Sequence, residues 1–308
     1  MSRLTVSVSP HIRGRDTTQR IMLDVIIAML PALVAACVIF GMRSLLLTAA
    51  SALFCVVLEH IWCLIRKIPT TIGDLSAVVT GILLAFNVPV GMPLWQLFVG
   101  DAIAILVVKM LFGGIGCNFV NPALVGRVAL MFSFPASMTD YATQVAKVDV
   151  LTGATPLASV GELGWGDFMT LFLGQHGGVL GETCAAALLA GGIYLCIRRV
   201  IKPWLPLAFI GSTALFTFLF GGPHPILSIF SGGLLLGAIF MATDYVTSPI
   251  TEWGRVIFGL CCGLLTAAIR VFANATEGVS FAILLMNLVV PYINTLTRPK
   301  AFGEVKAQ

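Results

Sequence analysis

The stretch that decides the fold is residues 21–40, IMLDVIIAMLPALVAACVIF, which holds one charged residue, Asp24. This is the length and composition that a helix needs to cross the hydrocarbon core of a bilayer. Across all 308 residues, 58% are hydrophobic and 10% are charged, and the mean hydropathy is +1.00. A soluble globular protein needs more polar residues than this to form its surface. The sequence therefore predicts an integral membrane protein.

Apolar stretches of similar length recur along almost the whole chain. They predict ten spans, at roughly 21–40, 45–65, 75–90, 94–112, 118–134, 181–197, 203–220, 226–242, 255–273 and 279–296. The third and the eighth look short and are followed by backbone breakers that include Pro89 and Pro249, so either could be a broken or partial span. The predicted fold class is an all-α polytopic membrane protein with about ten transmembrane helices.

Basic residues predict the orientation, because segments rich in lysine and arginine are retained in the cytoplasm. With the N-terminus inside, fourteen of the eighteen basic residues fall in cytoplasmic segments, among them Lys109 near the end of span four. The exceptions are Arg43, Arg127, Lys147 and Arg270. We therefore expect both termini in the cytoplasm and the long segment 135–180 outside. The start of the chain shows no cleavable signal peptide, and the net charge of +4 needs no nucleic acid to explain it.

The long external segment divides the ten spans into two sets of five, and an odd number per set gives the sets opposite orientations. A short similarity relates the third and eighth spans, TGILLAF at 80–86 and LGAIFMA at 236–242. We therefore predict two inverted five-helix repeats, at 1–134 and 181–308, joined by the external loop.

The external segment carries the most informative motif, TGATP at 152–156. The small Gly153 and Ala154 permit close approach, and Pro156 biases Thr155 toward an extended conformation, which suits a hydroxyl esterified to a phosphate. A glycine-rich element, GVLGET at 178–183, opens the sixth span, where free N–H groups at a helix start attract phosphate. The two stretches could meet around one cofactor, although each stretch taken alone is more typical of a plain surface turn.

Ionisable residues within apolar stretches are functional candidates, because charge is costly inside a bilayer. The candidates for an ion pathway are Asp74, Asp101 and Asp244, of which the first and last adjoin the breaks of spans three and eight. Arg127 is the most deeply placed charge and is expected to pair with an acid or a flavin. Structural ion pairing or helix capping is the alternative for each residue. Eight cysteines without a C-x-x-C pair do not predict a disulfide framework. Cys117, in a glycine-rich turn, is the one whose setting could suit a metal or an iron–sulfur cluster, and a packed thiol at a helix junction is the alternative.

The joint pattern resembles the RnfD component of the Rnf complex, the ferredoxin:NAD oxidoreductase that couples electron transfer to sodium or proton movement. The resemblance rests on TGAT at 152–155, GVLGET at 178–183 and GCNFVNPA at 116–123, and it covers nearly the whole chain. The related NqrB component of the sodium-pumping NADH:quinone reductase shares the attachment motif but typically carries a longer N-terminal extension than the roughly twenty residues seen here. Thr152 stands where serine is common in the motif.

The resemblance implies FMN bound to Thr155 through a phosphoester, in a urea-transporter-like fold, at the outer face of a bacterial inner membrane. The residues expected around the cofactor are Thr152, Gly153, Ala154, Pro156, Gly178, Gly181, Glu182, Thr183, Asn121 and Arg127. The implied function is an electron relay in a redox-driven ion pump, with other membrane and peripheral subunits as partners, membrane lipid around it and no catalytic residue of its own. A second, non-covalent flavin such as riboflavin is left open.

Two other functions remain compatible with the sequence. A small-solute channel or secondary transporter would use the same fold, and a cofactor-free membrane protein would anchor catalytic partners. The sequence contains neither a dinucleotide-binding fingerprint between a strand and a helix nor a phosphate-binding P-loop. We therefore expect nucleotides to be handled by other subunits.

Overall fold

The structure is a computed structural model that describes residues 17–139, 169, 171–174, 178–182, 184–273 and 278–299. All regular elements in these ranges are helical. The main helices are α1 (Thr18–Phe40), α2 (Met42–Arg66), α3 (Ser76–Phe86), α4 (Leu94–Ala102), α5 (Pro122–Ser133), α6 (Pro135–Thr139), α7 (Ala185–Ile197), α8 (Trp204–Leu219), α9 (Pro225–Phe230), α10 (Leu234–Leu236), α11 (Glu252–Phe272) and α12 (Gly278–Leu296). π-Helical turns extend α4 through Ile103–Met110 and α10 through Gly237–Met241, and a 3-10 turn at Ile72–Asp74 precedes α3.

Four of the described helices, α1, α2, α11 and α12, are long and apolar enough to cross a membrane by length and composition. Shorter apolar helices of 10–17 residues, α3, α5, α7 and α8, lie among them. Large apolar side chains face outward, as at Val34 with 61%, Val38 with 77% and Leu296 with 85% of the residue exposed. Lipid tails are the natural contact for such a surface, so the predicted all-α polytopic membrane protein is confirmed.

The two predicted broken spans are interrupted, each in its own way. The third span is α3, which has only 11 residues and ends where Asn87 leaves the helix. The eighth is divided into α9 and α10 between Ser231 and Gly233, inside the predicted span rather than at its end. Gly232 and Gly233 have φ of 74° and 65°, a left-handed conformation that glycine adopts without steric cost.

The second and fourth spans of each half pack together, α2 on α4 in the N-terminal half and α8 on α11 in the C-terminal half. Small residues allow such close approach between helices. In the contact of α8 with α11, a Cβ built on Gly263 would lie 1.8 Å from Ser212 Oγ; the close approach to α2 comes from α3, where a Cβ on Gly81 would lie 2.7 Å from the Cα of Ala52. The two inverted repeats, divided at 134 and 181, stay a prediction.

Lys109 corrects one sequence expectation. It does not lie in a cytoplasmic loop but in the π-helical turn that extends α4, with 2% of the residue exposed. Its ammonium forms an ion pair with Glu59 of α2. A lysine can be buried when it is paired with an acid. Its position near the end of span four therefore did not show that Lys109 lies in a loop.

Candidate cofactor and ion site

The predicted site residues fall into described and undescribed sets. Thr152, Gly153, Ala154, Thr155, Pro156 and Thr183 lie outside the described residues. The structure describes Gly178, Gly181, Glu182, Asn121, Arg127, Asp74, Asp101 and Asp244. These eight do not form one cluster but occupy three places: a junction of the two broken spans, the wall of a cavity and the contact between α2 and α4.

Residues 178–182 form one side of the junction, because they bond to the chain that leaves α3. The Gly181 N–H donates to the Phe86 carbonyl at 2.8 Å, and the Leu180 N–H donates to the Val88 carbonyl at 3.4 Å. A Cβ on Gly181 would lie 2.6 Å from the Phe86 Cβ. The glycine predicted from the sequence as a cofactor contact is therefore required for the close approach of two backbone segments.

The same segment reaches the break of the eighth span. The Glu182 carboxylate accepts a hydrogen bond from the Gly232 N–H. Arg270 of α11 binds the other side of that break, where its guanidinium donates to the carbonyls of Ser228 at 2.6 Å, Ser231 at 3.0 Å and Gly232 at 3.1 Å. Carbonyls freed by the interrupted helix are thus satisfied by a buried cation, as membrane burial demands.

Arg127 lies between the two breaks. Its Nη1 donates to the Asn87 Oδ1 at 2.5 Å, and a Cβ on Gly233 would lie 3.7 Å from the same nitrogen. Asn87 in turn donates to the Leu83 carbonyl at 2.6 Å and contacts the sulfur of Met241 at 3.7 Å. The acid or flavin expected beside Arg127 stays a prediction, and the amide of Asn87 is a partner that sequence reasoning missed.

Asn121 is a structural anchor at the start of α5. Its Oδ1 accepts from the N–H groups of Ala123 at 3.0 Å and Leu124 at 3.4 Å, which caps the helix. Its amide donates to the Met241 carbonyl at 3.3 Å. Asn287 of α12, placed with its amide oxygen toward α5, accepts from the Asn121 N–H at 3.2 Å. Asn121 therefore joins α5 to both α12 and the π-helical turn that extends α10.

A cavity of about 380 Å³ opens beside these anchors. Its wall is formed by the starts of α1, α3 and α5, the end of α7 and the turns after α4 and α10. All of these ends lie on the cytoplasmic side in the predicted orientation. The polar lining residues are Thr18, Ser76, Thr80, Lys109, Asn118, Asn121, Thr243, Asp244 and Tyr245. The Asn118 Oδ1 is buried without a hydrogen-bond partner in the described structure.

A buried charge network forms part of the cavity wall. Lys109 lies 2.7 Å from the Glu59 carboxylate and donates to Ser76 Oγ at 2.6 Å. Ser76 donates through its N–H and its hydroxyl to the Asp74 Oδ1, at 2.8 and 2.6 Å. The hydroxyl of Thr71 donates to Glu59. Asp74 thus holds the start of α3, which is the capping alternative weighed from the sequence.

The other two acids are separated from Asp74. Asp244 lines the cavity and accepts from the Thr247 hydroxyl at 3.1 Å. Asp101 is fully buried and accepts from Ser51 Oγ at 2.7 Å and Cys55 Sγ at 3.2 Å. In the part of the chain that the structure describes, no group of three or more metal-ligating side chains comes together.

These features define a class: a polytopic helical membrane protein with two interrupted spans that meet at buried arginines beside a one-sided cavity. The chain belongs to the NQR2, RnfD, RnfE family, whose model matches residues 5–303.

Three relatives are each named as the D subunit of a redox complex. The chain is 45% identical to that of the Na(+)-translocating ferredoxin:NAD(+) oxidoreductase complex of Acetobacterium woodii, with 98% of this chain and 96% of the relative covered. It is 38% identical to that of the proton-translocating ferredoxin:NAD(+) oxidoreductase complex of Clostridium ljungdahlii, covering 97% and 96%. It is 37% identical to that of the ion-translocating oxidoreductase complex of Stutzerimonas stutzeri, covering 94% and 93%. The resemblance stated from the sequence motifs is confirmed.

Proposed function

We propose that the chain is the flavin-carrying membrane component of an Rnf-type ion-translocating oxidoreductase complex. The observation that carries the proposal is identity of 45% over nearly the whole length to the D subunit of such a complex. The chain relays electrons and is not catalytic alone, so other membrane and peripheral subunits supply the reactions with ferredoxin and NAD. It lies in the bacterial inner membrane with both termini in the cytoplasm.

The TGAT motif at 152–155 supports covalent FMN on Thr155. The Thr155 hydroxyl would hold the phosphate through an ester, and the flavin ring would supply reversible electron transfer. The glycine-rich element follows the TGAT motif in sequence, and its described part is held in place. Gly181 bonds to the third span and Glu182 to the eighth. Redox sites need such rigidity, since a cofactor held on fixed elements keeps its distance to the next carrier.

The cavity supports a second, non-covalent flavin such as riboflavin. Its volume of about 380 Å³ falls within the range of small-molecule sites. Apolar side chains from Leu83, Ile239 and Phe240 suit the faces of a flat ring. Asn118, with its unpartnered buried oxygen, and Thr80 suit the polar edge. Such a ring would receive or pass on electrons at the cytoplasmic side.

The relatives' names leave the transported ion open, because one names sodium and another the proton. We propose coupling to one of these two cations. Asp244 lines the cavity and Asp74 is bonded to the cavity residue Ser76, so both are candidates to bind such a cation.

The test is whether the polypeptide, purified with its complex and denatured in SDS, fluoresces as a flavin. We expect fluorescence in this band, since an ester survives denaturation whereas a bound ligand is lost. A dark band from a complex made together with its flavin transferase would reject the FMN assignment. Uptake of a small solute by the isolated chain in liposomes would favour a channel or transporter, for which the one-sided cavity is the supporting feature.

A further inference from the structure

One face of α2 is polar and buried over the whole length of the helix. Its residues recur at intervals of three or four positions, so they lie in one line. They are Ser44, Thr48, Ser51, Cys55, Glu59 and Cys63, and all six are buried. The helices α3 and α4 cover this face. Polar groups in such a position are costly in a membrane protein unless they bond to one another or serve a function.

Asp101 of α4 reaches the middle of this line. None of the residue is exposed. Both hydrogen bonds that it receives, from Ser51 Oγ at 2.7 Å and from Cys55 Sγ at 3.2 Å, end on Oδ1. The second oxygen, Oδ2, is buried and has no hydrogen-bond partner among the described residues. An ionised carboxylate would therefore keep one of its charged oxygens unsolvated, which is among the most costly arrangements in a protein interior.

Among the residues that the structure describes, no cation compensates that charge. The titratable groups on the helices packed against Asp101 are Arg43, Cys55, Glu59, His60, Cys63 and Arg66 on α2, Lys109 in the extension of α4 and Arg127 on α5, and α3 contributes none. Lys109 follows eight residues later, roughly two turns along the helix, and is paired with Glu59. Arg127 donates to Asn87. Within the described chain, Asp101 has no salt-bridge partner.

The hydroxyl of Ser51 has two acceptors for one hydrogen. Its oxygen lies 2.7 Å from Asp101 Oδ1 and 2.9 Å from the Gly81 carbonyl. When Asp101 is ionised, the hydrogen of Ser51 can point to Oδ1. When Asp101 carries a proton on Oδ1, that proton can be donated to Ser51 Oγ while the Ser51 hydrogen turns to Gly81. The same heavy-atom positions therefore satisfy both protonation states.

Packing alone does not require an acid at this contact. The contact between α8 and α11, its predicted counterpart in the second half, is built from Ser212, Gly259 and Gly263. It holds no carboxyl group, since the one acid in the described part of those two helices is the exposed Glu252. A sodium site is also poorly matched, because a hard cation takes several oxygen ligands and Cys55 presents sulfur here.

We propose that Asp101 is a proton-binding site at the centre of the membrane part, with Ser51 as the partner that reorients when the proton binds or leaves. The proton adds to Oδ1 of the carboxylate and departs from the same atom, so no other bond is made or broken. Cys55 and Glu59 follow Ser51 by one and two turns on the same face of α2, and Glu59 is bonded to Lys109 on the cavity wall. The proposal is independent of the flavin on Thr155, because it needs only the contact of α2 with α4.

Infrared difference spectroscopy on the assembled complex in liposomes tests the proposal. At neutral pH we expect a C=O stretching band of a protonated carboxylic acid, shifted in D₂O and lost in Asp101→Asn. The matched control is Asp24→Asn, which removes a carboxylate of α1 that is paired with Arg198 at 3.0 Å and should leave that band in place. If Asp101→Asn removes a carboxylate band instead, or if the acid band appears only when Na⁺ is withdrawn, the proposal is overturned.

A second variant covers the case in which Asp101→Asn does not assemble. Ser51→Ala retains the carboxyl group and removes only the hydroxyl that receives its proton. The acid band should then shift in frequency, because the O–H of Asp101 loses its acceptor. An unshifted band in an assembled Ser51→Ala complex contradicts the assigned pair, and it does so whether or not the chain carries a flavin.

Discussion

At the scale of single residues, Thr155 presents one atom to which FMN can be esterified, its hydroxyl oxygen. Thr155→Val removes that oxygen at nearly constant volume, so we expect the variant to insert and assemble while its SDS-denatured band loses flavin fluorescence. Peptide mass analysis should show the loss of one FMN moiety. The control is Thr152→Val, three positions upstream in the motif, which should keep the modification. Fluorescence that survives in Thr155→Val would move the attachment to another residue.

Lys109 and Glu59 form a buried ion pair, so removing one charge should leave the other buried and unpaired. Both are buried, and 2.7 Å separates the ammonium from the carboxylate. Lys109→Met leaves Glu59 without its cation, so we expect a loss of about 3–5 kcal/mol in stability. The double variant Lys109→Met, Glu59→Leu should lose less than the single one. Thermal unfolding in detergent measures both, and equal losses would show that the unpaired Glu59 carboxylate is not the cause of the destabilisation.

Residue identity alone located some of these groups and not their contacts. Asp101 and Arg127 can be picked out because ionisable residues are rare within apolar stretches, and Asn121 because it lies in the stretch GCNFVNPA that carries the family resemblance. Their partners Ser51 and Asn87 cannot be identified in this way, because the contacts join positions 50 and 40 residues apart. Pairing across such separations depends on the packing of whole helices.

At the scale of elements, the contact of α8 with α11 depends on glycine. A Cβ on Gly263 would lie 1.8 Å from Ser212 Oγ and 2.7 Å from the Thr213 nitrogen. Gly263→Ala should therefore separate the helices and lower stability by about 1–3 kcal/mol. The matched control is Gly211→Ala on α8, where a Cβ meets nothing within 4 Å. The unfolding midpoint should fall for the first variant and hold or rise for the second.

The spans were predictable because length and apolarity decide whether a helix can cross a bilayer. The position at which the eighth span is interrupted was harder to predict. The Gly232-Gly233 pair was its local signal, and glycine is frequent in membrane helices. What fixes the break is the satisfaction of its free carbonyls by Arg270, which lies 38 residues later in the chain. The burial of Lys109 escaped prediction for the same reason, since its partner comes from another helix.

At the scale of the whole molecule, orientation decides which side of the membrane holds each site. The cavity is lined by the starts of α1, α3 and α5 and by the ends of α7 and of the extensions of α4 and α10. These ends all lie on one side if successive spans cross the membrane in opposite directions. In the predicted orientation, with the N-terminus inside, the cavity lies on the cytoplasmic side and the described end of α6, where the segment that carries Thr155 begins, lies outside. Electrons that pass between a flavin on Thr155 and one in the cavity would therefore cross the bilayer. A redox-driven ion pump must couple such electron transfer to the movement of an ion.

Cys117 is a native reporter of that orientation. It is exposed in the turn between α4 and α5, which the distribution of basic residues places in the cytoplasm. We expect an impermeant thiol reagent to spare Cys117 in intact cells and to label it in inverted vesicles, with Cys117→Ser identifying its share of the label. Thr139, exposed at the end of α6, gives the opposite side: Thr139→Cys should react in intact cells. Labelling of Cys117 but not of Thr139→Cys in intact cells would show that the orientation is the reverse of the predicted one, with the Thr155 segment at the cytoplasmic face. The cavity would then open outward, and an electron path from a cytoplasmic donor would have to meet the Thr155 flavin first.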